Sequence, residues 1–396
     1  SIDLRDFEVA GAADATSMGA DFSYFAADNP NLTTIKINNV AQTASRVTFT
    51  GAFQFTGGNV AYVEPLTTHL QENGVIYLFN SFNGEGAYLD SMFEGTSLRW
   101  TCGEYTDRPM ENFGNGDGAS LARMFYNAKN MGNLQLSHVG TGENAILNSM
   151  LAYVGTTRER STQDDDRWIT LSNVGGPGAD ATSLFEGSLT SGIELDANNN
   201  LSITAQTRTA KIQWTNSSDL SRYLVSADGL CANSGANIID LRGMPQMGLR
   251  QGEMVTNASA SSMFMGTARV TRNIAMDDSY YVGEKAYTGT VSRVPDSVSF
   301  DNAGSSSGNW PNIREGVIAL PENWDTTRIS DFSYMVSSSQ VVQVNLPNIL
   351  GSKTLLDANG NRGVLNMSKP SFYGFAQNCT NLKSVDLSLP KDANGN

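Results

Sequence analysis

The side chains that could do chemistry are few, and the densest group is the acidic run at residues 164–166, three consecutive aspartates. Such a run could hold a divalent cation or, with a distant partner, act in glycoside hydrolysis; it is also typical of a solvated loop. The segments DANNN at 196–200 and DANGN at 357–361 begin like a calcium-binding EF-hand loop. Both lack the glycine at the sixth place and the glutamate at the twelfth. We therefore predict turns there and no cofactor, with calcium unsupported by a full motif.

The sequence contains no complete motif for nucleophilic or metal-assisted catalysis. The two histidines, His69 and His138, have no His, Cys or Glu partner at ligand spacing. The GSSSG at 304–308 matches the GxSxG pattern but lies in a Ser/Gly run, without the strand and helix that a nucleophile elbow needs. Gly175, Gly176 and Gly178 are interrupted by a proline and read as a turn, not as a phosphate-binding loop. The sequence predicts no catalytic residues and no enzyme.

The three cysteines, Cys102, Cys231 and Cys379, are odd in number and more than a hundred residues apart. This spacing predicts neither a disulfide framework nor a zinc site. We interpret all three as small buried hydrophobic residues.

Aromatic residues cluster within residues 277–330. Trp and Tyr anchor recognition surfaces and stack on sugar rings. We therefore predict the recognition surface in this region, at Tyr280, Tyr281, Tyr287, Trp310 and Trp324.

Composition restricts the partners of the chain. Its 396 residues carry 26 Lys and Arg against 40 Asp and Glu, giving a net charge of −14. That balance argues against nucleic acid, whose binders cluster basic side chains, and against anionic membrane surfaces. No stretch approaches the 18 or so apolar residues of a membrane-spanning helix, so membrane insertion is not expected. A polar, weakly charged, turn-rich surface is typical of extracellular, cell-surface or virion proteins.

An internal sequence repeat indicates which secondary-structure elements would position a site. Residues 22–37 and 372–387 carry apolar side chains at identical spacings. Residues 121–136 and 332–346 keep most of this sequence pattern. Weaker copies retain a Met-Phe or Leu-Phe pair followed by an apolar-x-apolar pair. These second pairs end at residues 37, 100, 136, 171, 195, 241, 276, 346 and 387. The two longest intervals, 37–100 and 276–346, have room for a degenerate copy each.

An apolar-x-apolar pair places two side chains on one face of a short strand. The upstream pair could share one face of a helical turn behind it. Because one such unit cannot bury its apolar face alone, neighbours must stack on it. The sequence predicts a β-rich α/β solenoid with short parallel strands and helical turns, forming a single elongated array over residues 1–396.

Insertions are expected between the copies, at about 41–80, 196–214 and 277–330. Residues 41–63, 201–214 and 281–300 alternate apolar and polar side chains, which favours antiparallel strands. We interpret these stretches as β-hairpin additions to the array.

The phrase at 372–390, FYGFAQNCTNLKSVDLSLP, resembles the irregular leucine-rich repeats of BspA-like surface proteins. The likeness extends to 22–37, 121–136 and 332–346, although this chain spaces its copies more widely than that family does. The resemblance implies a leucine-rich-repeat solenoid in a non-enzymatic extracellular protein, and related repeats occur on phage virions.

Together these features predict an adhesin or a virion fibre or decoration protein. Its partner would be a cell-surface protein or glycan, or neighbouring subunits, with a homo-oligomer among the options. One alternative is a structural subunit of a polymeric surface assembly. Another is a polysaccharide-degrading enzyme that uses carboxylates near 164–166 or 315–325.

Overall fold

A computed structural model describes most of the chain. The residues that it describes are 1–14, 16–57, 75–98, 110–128, 131, 133–155, 167–189, 210–215, 221–236, 238–251, 254–267, 271–274, 316–320, 326–339, 343–345, 351–356, 362–365, 369–380 and 382–387.

The described residues form short strands and tight turns, and none of them lies in a helix. The strands are β1 (Ile2–Asp3), β2 (Thr34–Asn38), β3 (Val75–Ser81), β4 (Met110–Phe113), β5 (Asn133–Val139), β6 (Arg167–Val174), β7 (Pro177–Asp180), β8 (Ala210–Thr215), β9 (Tyr223–Ser226), β10 (Ile238–Asp240), β11 (Gln246–Met247), β12 (Leu249–Gln251), β13 (Met254–Thr256), β14 (Ala258–Ser259), β15 (Thr271–Ile274), β16 (Gly316–Ala319), β17 (Ile329–Asp331), β18 (Gln343–Asn345), β19 (Gly351–Leu356), β20 (Arg362–Leu365) and β21 (Ser384–Asp386).

The chain divides into two compact units. Unit 1 comprises residues 1–157 and 169–188, and unit 2 comprises residues 158–168 and 189–396. In unit 1, strands β1 to β6 lie side by side in chain order. Strands β1 to β5 pair parallel with their neighbours, with Ile35 opposite Ile76 and Ile37 opposite Leu78. These isoleucines and leucines are fully buried, as the alternation of apolar and polar residues predicts.

Unit 2 contains a parallel sheet whose order departs from the chain order, β8-β10-β16-β15-β18-β21. Strand β16 lies between β10 and β15 and pairs parallel with both. The expected insertion at 277–330 therefore contributes a parallel strand to the sheet. Both long intervals of the sequence repeat contain an additional strand, β3 in the first and β16 in the second.

A second recurring element, which we call the turn segment, spans eight residues. Each turn segment begins at a residue that forms a parallel bridge to the corresponding residue of its neighbours. The turn segments of unit 1 are 21–28, 48–55, 88–95, 120–127, 146–153 and 180–187, and those of unit 2 are 226–233, 259–266, 331–338 and 371–378.

Neighbouring turn segments are joined by a regular set of backbone hydrogen bonds. In segment 88–95, for example, the amides of Leu89, Ser91, Phe93 and Gly95 donate to four carbonyls of segment 120–127 at 2.7–2.9 Å. Every second amide takes part, and the donor always lies in the earlier segment of the pair. The fourth and eighth residues of all ten segments have positive φ. The left-handed conformation at these positions reverses the direction of the chain once every four residues. Glycine adopts this conformation at the lowest cost.

The turn segments other than 21–28 and 371–378 bury their second, fifth and sixth residues. Phe53, Phe93 and Phe125 occupy the sixth position of successive segments and stack with centroids 5.5 and 5.4 Å apart. All three rings are fully buried. The Met-Phe and Leu-Phe pairs of the sequence repeat are the fifth and sixth residues of these segments, so the repeat marks the apolar side of each turn.

Glycines just before the turn segments of unit 1 allow adjacent backbones to approach closely. A β-carbon on Gly116 would lie 2.0 Å from the carbonyl oxygen of Gly84, and one on Gly142 would lie 2.4 Å from that of Gly116. Gly176 approaches Gly142 in the same way. Gly175 and Gly176 connect β6 to β7, and Gly178 lies within β7; Gly175 and Gly178 have positive φ.

Three sequence-based expectations require correction. The expected helical turns are runs of tight turns, because a positive-φ residue at every fourth position stops a helix from propagating. The expected antiparallel strand at 41–63 contains Thr48, which bridges parallel to Asp21 and Tyr88. In the same way β8, within the expected hairpin at 201–214, pairs parallel with β10.

Hairpins do occur in unit 2. Strands β12 and β13 pair antiparallel, and so do β19 and β20, which flank the DANGN sequence at 357–361.

Candidate functional site

The residues expected to form the recognition surface, Tyr280, Tyr281, Tyr287, Trp310 and Trp324, lie outside the described residues. So do the aspartates at 164–166, the GSSSG at 304–308, His69 and Cys102.

Other candidates are placed. His138 is exposed at the end of β5, with Nδ1 2.8 Å from Ser137 Oγ and Nε2 3.3 Å from Asn173 Nδ2. Cys231 is fully buried, and burial raises the pKa of its thiol, as expected for a small core residue. Cys379 is only partly buried, with Sγ 3.0 Å from the carbonyl oxygen of Val336.

The turn segments of unit 1 bring together a polar and aromatic cluster that the sequence did not single out. We define the Arg123 cluster as Glu94, Arg123, Tyr126, Tyr153 and Glu186. Four successive turn segments contribute to it, and their backbones are held together by the hydrogen bonds described above.

Arg123 joins two neighbouring segments at the centre of the cluster. Its guanidinium donates to both carboxylate oxygens of Glu94, at 2.6 and 3.2 Å. The guanidinium carbon also lies 3.8 Å from the centroid of the Tyr126 ring. The hydrogen bond to Glu94 raises the pKa of Arg123. A two-point ion pair combined with a cation–π contact fixes this side chain in one orientation.

Tyr126 and Tyr153 form the aromatic part of the cluster. Their rings meet edge to face, with centroids 5.4 Å apart. The Tyr153 hydroxyl lies 3.3 Å from Glu186 Oε1. Burial raises the pKa of Tyr153, and the nearby Glu186 carboxylate adds to that effect. Both rings remain partly exposed.

The cluster brings together a planar cation, two carboxylates and two phenol rings, and the guanidinium of Arg123 covers one face of the Tyr126 ring. The side chain of Arg123 is 46% exposed, whereas that of Glu94 is 12% exposed. The carboxylate therefore serves mainly to hold the guanidinium, which retains N–H groups for an incoming acceptor. The arrangement suits a ligand with hydroxyl or carboxyl groups and a flat apolar face.

A half-buried aspartate stabilises the same array of turns. Asp90 Oδ1 accepts hydrogen bonds from the hydroxyl of Ser120 and the amide of Ala122. Burial raises the pKa of Asp90 in spite of these bonds. Asp228 holds Ser259 and Ser261 in the same way in unit 2. These aspartates link neighbouring turn segments and have a structural role.

An amide ladder follows the ends of the strands in unit 1. Asn39 Nδ2 donates to Asp6 Oδ1 at 2.7 Å, Asn80 Nδ2 donates to Asn39 Oδ1 at 2.8 Å, and Asn112 Nδ2 donates to Asn80 Oδ1. The four residues share a positive φ. Because each amide is occupied by its neighbour, we assign this ladder a structural role.

A shallow groove of about 680 Å³ lies at the β1 side of unit 1. Its lining includes the carboxylates of Asp6 and Glu8 together with small residues such as Gly11, Ala12 and Ala44. No aromatic side chain lines it. In the part of the chain that the structure describes, no three His, Cys, Asp or Glu side chains are grouped to hold a metal ion.

The Arg123 cluster follows from a register that the sequence contains. Glu94, Tyr126 and Glu186 each come directly after a Met-Phe or Leu-Phe pair, and thus occupy the seventh position of their turn segments. With the repeats aligned on those pairs, the three residues form one row. The Met-Phe and Leu-Phe pairs predict the core, and the residue that follows each pair is the signal for the cluster.

The chain matches no family model, no curated protein and no solved structure. None of the described residues lies in a helix that is long and apolar enough to cross a membrane.

Proposed function

We propose that this chain is a non-enzymatic surface protein, extracellular or on a virion, that binds a cell-surface glycan through the Arg123 cluster on a repeat solenoid of irregular leucine-rich-repeat type. Parallel strands and turn segments recurring in register support the repeat architecture. The acidic, weakly charged composition supports an exposed setting.

The observation that carries the proposal is the combination at Arg123. Sugar-binding surfaces pair aromatic rings, which cover the apolar face of a pyranose, with charged groups that hydrogen-bond its hydroxyls. Arg123 and Tyr126 provide both kinds of contact within 3.8 Å of each other. Glu94, Tyr153 and Glu186 surround them with hydrogen-bonding groups.

Preorganisation favours the same conclusion. Segment 120–127 receives four backbone hydrogen bonds from segment 88–95 and donates four to segment 146–153. A ligand would therefore meet side chains whose backbone is already fixed, which lowers the entropic cost of binding.

The test is binding of the full chain to a panel of immobilised neutral and acidic glycans. We expect the wild type to bind a subset of the panel, and Tyr126→Ala to weaken that binding. The matched control is Tyr88→Ala, an exposed tyrosine of segment 88–95 outside the cluster. Absence of binding to every glycan, or equal binding by both variants, would contradict the proposal. Binding to a cell-surface protein in place of a glycan would contradict the ligand class.

A further inference from the structure

The guanidinium of Arg123 has two edges that can each bind an oxyanion, and the chain uses one of them. Nε and Nη2 form the first edge, and they donate to the carboxylate of Glu94 at 3.2 and 2.6 Å. Nη1 and the second hydrogen of Nη2 form the other edge, which we call the open edge. Among the described residues, no acceptor lies at hydrogen-bond distance from Nη1. The hydroxyl of Tyr126 contributes less than Glu94 to the raised pKa of Arg123.

The side chains next to Arg123 in the following turn segment are short. The parallel bridge between the first residues of segments 120–127 and 146–153 aligns Ser149 with Arg123 and Ala152 with Tyr126. Glu94 lies on the opposite side, in segment 88–95. Arg123 therefore has a carboxylate on one side and two short side chains on the other. A ligand can reach both the guanidinium and the Tyr126 ring from the side of segment 146–153.

The open edge has the geometry that selects an oxyanion with two oxygens. The N–H groups of a guanidinium lie in one plane, and two parallel hydrogen bonds from them match the oxygens of a carboxylate. Such charge-assisted bonds are shorter and stronger than the bonds that a neutral hydroxyl makes. With 46% of the Arg123 side chain exposed, a group on a glycan can reach this edge.

The nearby carboxylates do not outweigh this attraction. The charge of Glu94 is already paired with Arg123. The backbone of Glu186 lies two segments beyond that of Arg123, about 10 Å away at the ordinary strand spacing. This exceeds the Debye length of about 8 Å at physiological ionic strength, so the repulsion is largely screened. A direct hydrogen bond acts at about 3 Å. The net charge of −14 slows the approach of an anion more than it weakens that contact.

We infer that the glycan bound at the Arg123 cluster carries an oxyanion, either the carboxylate of an acidic sugar or a sulfate ester, and that the open edge of Arg123 holds this group. The inference rests on the proposed glycan binding and specifies its ligand. The apolar face of the same sugar contacts the partly exposed rings of Tyr126 and Tyr153.

Matched pairs of oligosaccharides test this inference by isothermal titration calorimetry with the full chain. One pair compares an acidic oligosaccharide with the same molecule after reduction of its carboxyl to an alcohol. The other compares a sulfated oligosaccharide with its desulfated form. The wild type should bind the anionic member of at least one pair at least about tenfold more tightly, the usual gain from hydrogen bonds to a charged group. The pair that shows the preference identifies the source of the oxyanion.

Arg123→Lys separates the open edge from charge alone. Its ammonium, paired with Glu94, has no second two-point edge, so this variant should bind both members of a pair alike. The matched control is Arg5→Lys, because Arg5 forms an equivalent two-point pair with Asp3 outside the cluster. This control should keep the preference of the wild type.

The outcomes distinguish the inference from the proposed function. Equal binding of both members of every pair by the wild type overturns the inference and leaves glycan binding intact. A preference that persists in Arg123→Lys, or that disappears equally in Arg5→Lys, also overturns it, since the oxyanion would then be held by another group. Binding of no oligosaccharide, charged or neutral, overturns the proposed function and this inference together.

Discussion

The ring of Tyr153 lies against Gly187 of the next turn segment, so that a β-carbon built on this glycine would stand 2.4 Å from the ring. The same relationship joins Tyr24 to Gly51, Phe55 to Gly95 and Tyr334 to Gly374. In each pair both residues have positive φ. An aromatic side chain thus covers a glycine at the equivalent turn position of the neighbouring segment.

Substitution of Gly187 tests this pairing. Gly187→Ala should lower the free energy of unfolding by the left-handed backbone cost of about 1–2 kcal/mol, plus about 1–3 kcal/mol for displacing the Tyr153 ring. The control is Gly118→Ala, where φ is +67° and no atom lies within 4 Å of the added carbon. Urea denaturation should show the smaller loss in the control. Equal losses in the two variants would mean that the ring contact contributes nothing.

The core of the turn segments gives a second prediction. Phe93 is stacked between Phe53 and Phe125 and is fully buried. Phe93→Ala should cost about 3–5 kcal/mol, the usual loss for a buried ring. Tyr88→Ala in the same segment, where the side chain is 38% exposed, should cost much less. Thermal unfolding followed by circular dichroism compares the two variants, and a similar loss in both would contradict the assigned packing.

The half-buried carboxyl of Asp90 makes stability depend on pH. Because burial raises its folded-state pKa above the ordinary value of 3.8, the folded chain holds this proton more tightly than the unfolded chain does. The contribution of Asp90 to the free energy of unfolding therefore falls as pH rises from that value through the raised pKa. Asp90→Asn keeps an oxygen for Ser120 and Ala122 and removes the charge. The variant should gain stability relative to the wild type near neutral pH.

Urea midpoints of the two proteins, measured from acid to neutral pH, check this prediction. The difference between wild type and Asp90→Asn should shrink as pH falls below the raised pKa. Asn31→Ala, at an exposed position, serves as a control whose difference from the wild type should not follow that titration. Parallel curves for wild type and Asp90→Asn would show that the carboxyl does not titrate differently in the folded state.

The parallel strands could be predicted from the sequence because their apolar alternation is local. The pairs at Ile35–Ile37, Ile169–Leu171 and Ile239–Leu241 follow the period of a strand. They lie in or at the end of β2, β6 and β10, and β2 and β10 pair parallel with the strands on both sides of them. The order of β16 and β15 could not be predicted, since no local pattern says which neighbour a strand will pair with. The turn geometry was missed for another reason. An apolar residue three positions after a Phe is compatible with one turn of a helix. The same spacing also occurs in a run of tight turns, where a residue with positive φ lies between the two apolar residues.

One overlooked signal would have corrected that interpretation. A glycine-x-(Gly or Asn)-Ala sequence precedes four turn segments of unit 1, at 84–87, 116–119, 142–145 and 176–179. Its first glycine permits close backbone approach, and its third residue has positive φ. The Arg123 cluster was less accessible to prediction, because its members belong to different repeats and only the exact register brings them together.

The central claim, that the Arg123 cluster binds a ligand, is tested most directly by the dissociation constant of Arg123→Ala for a glycan that the wild type binds on the panel. Surface ion pairs contribute about 1 kcal/mol or less to stability, so the variant should remain folded while its dissociation constant rises at least about tenfold. Arg5→Ala, which removes an equally short ion pair to Asp3 outside the cluster, should bind like the wild type. An unchanged dissociation constant in Arg123→Ala, or an equal rise in Arg5→Ala, would contradict the account.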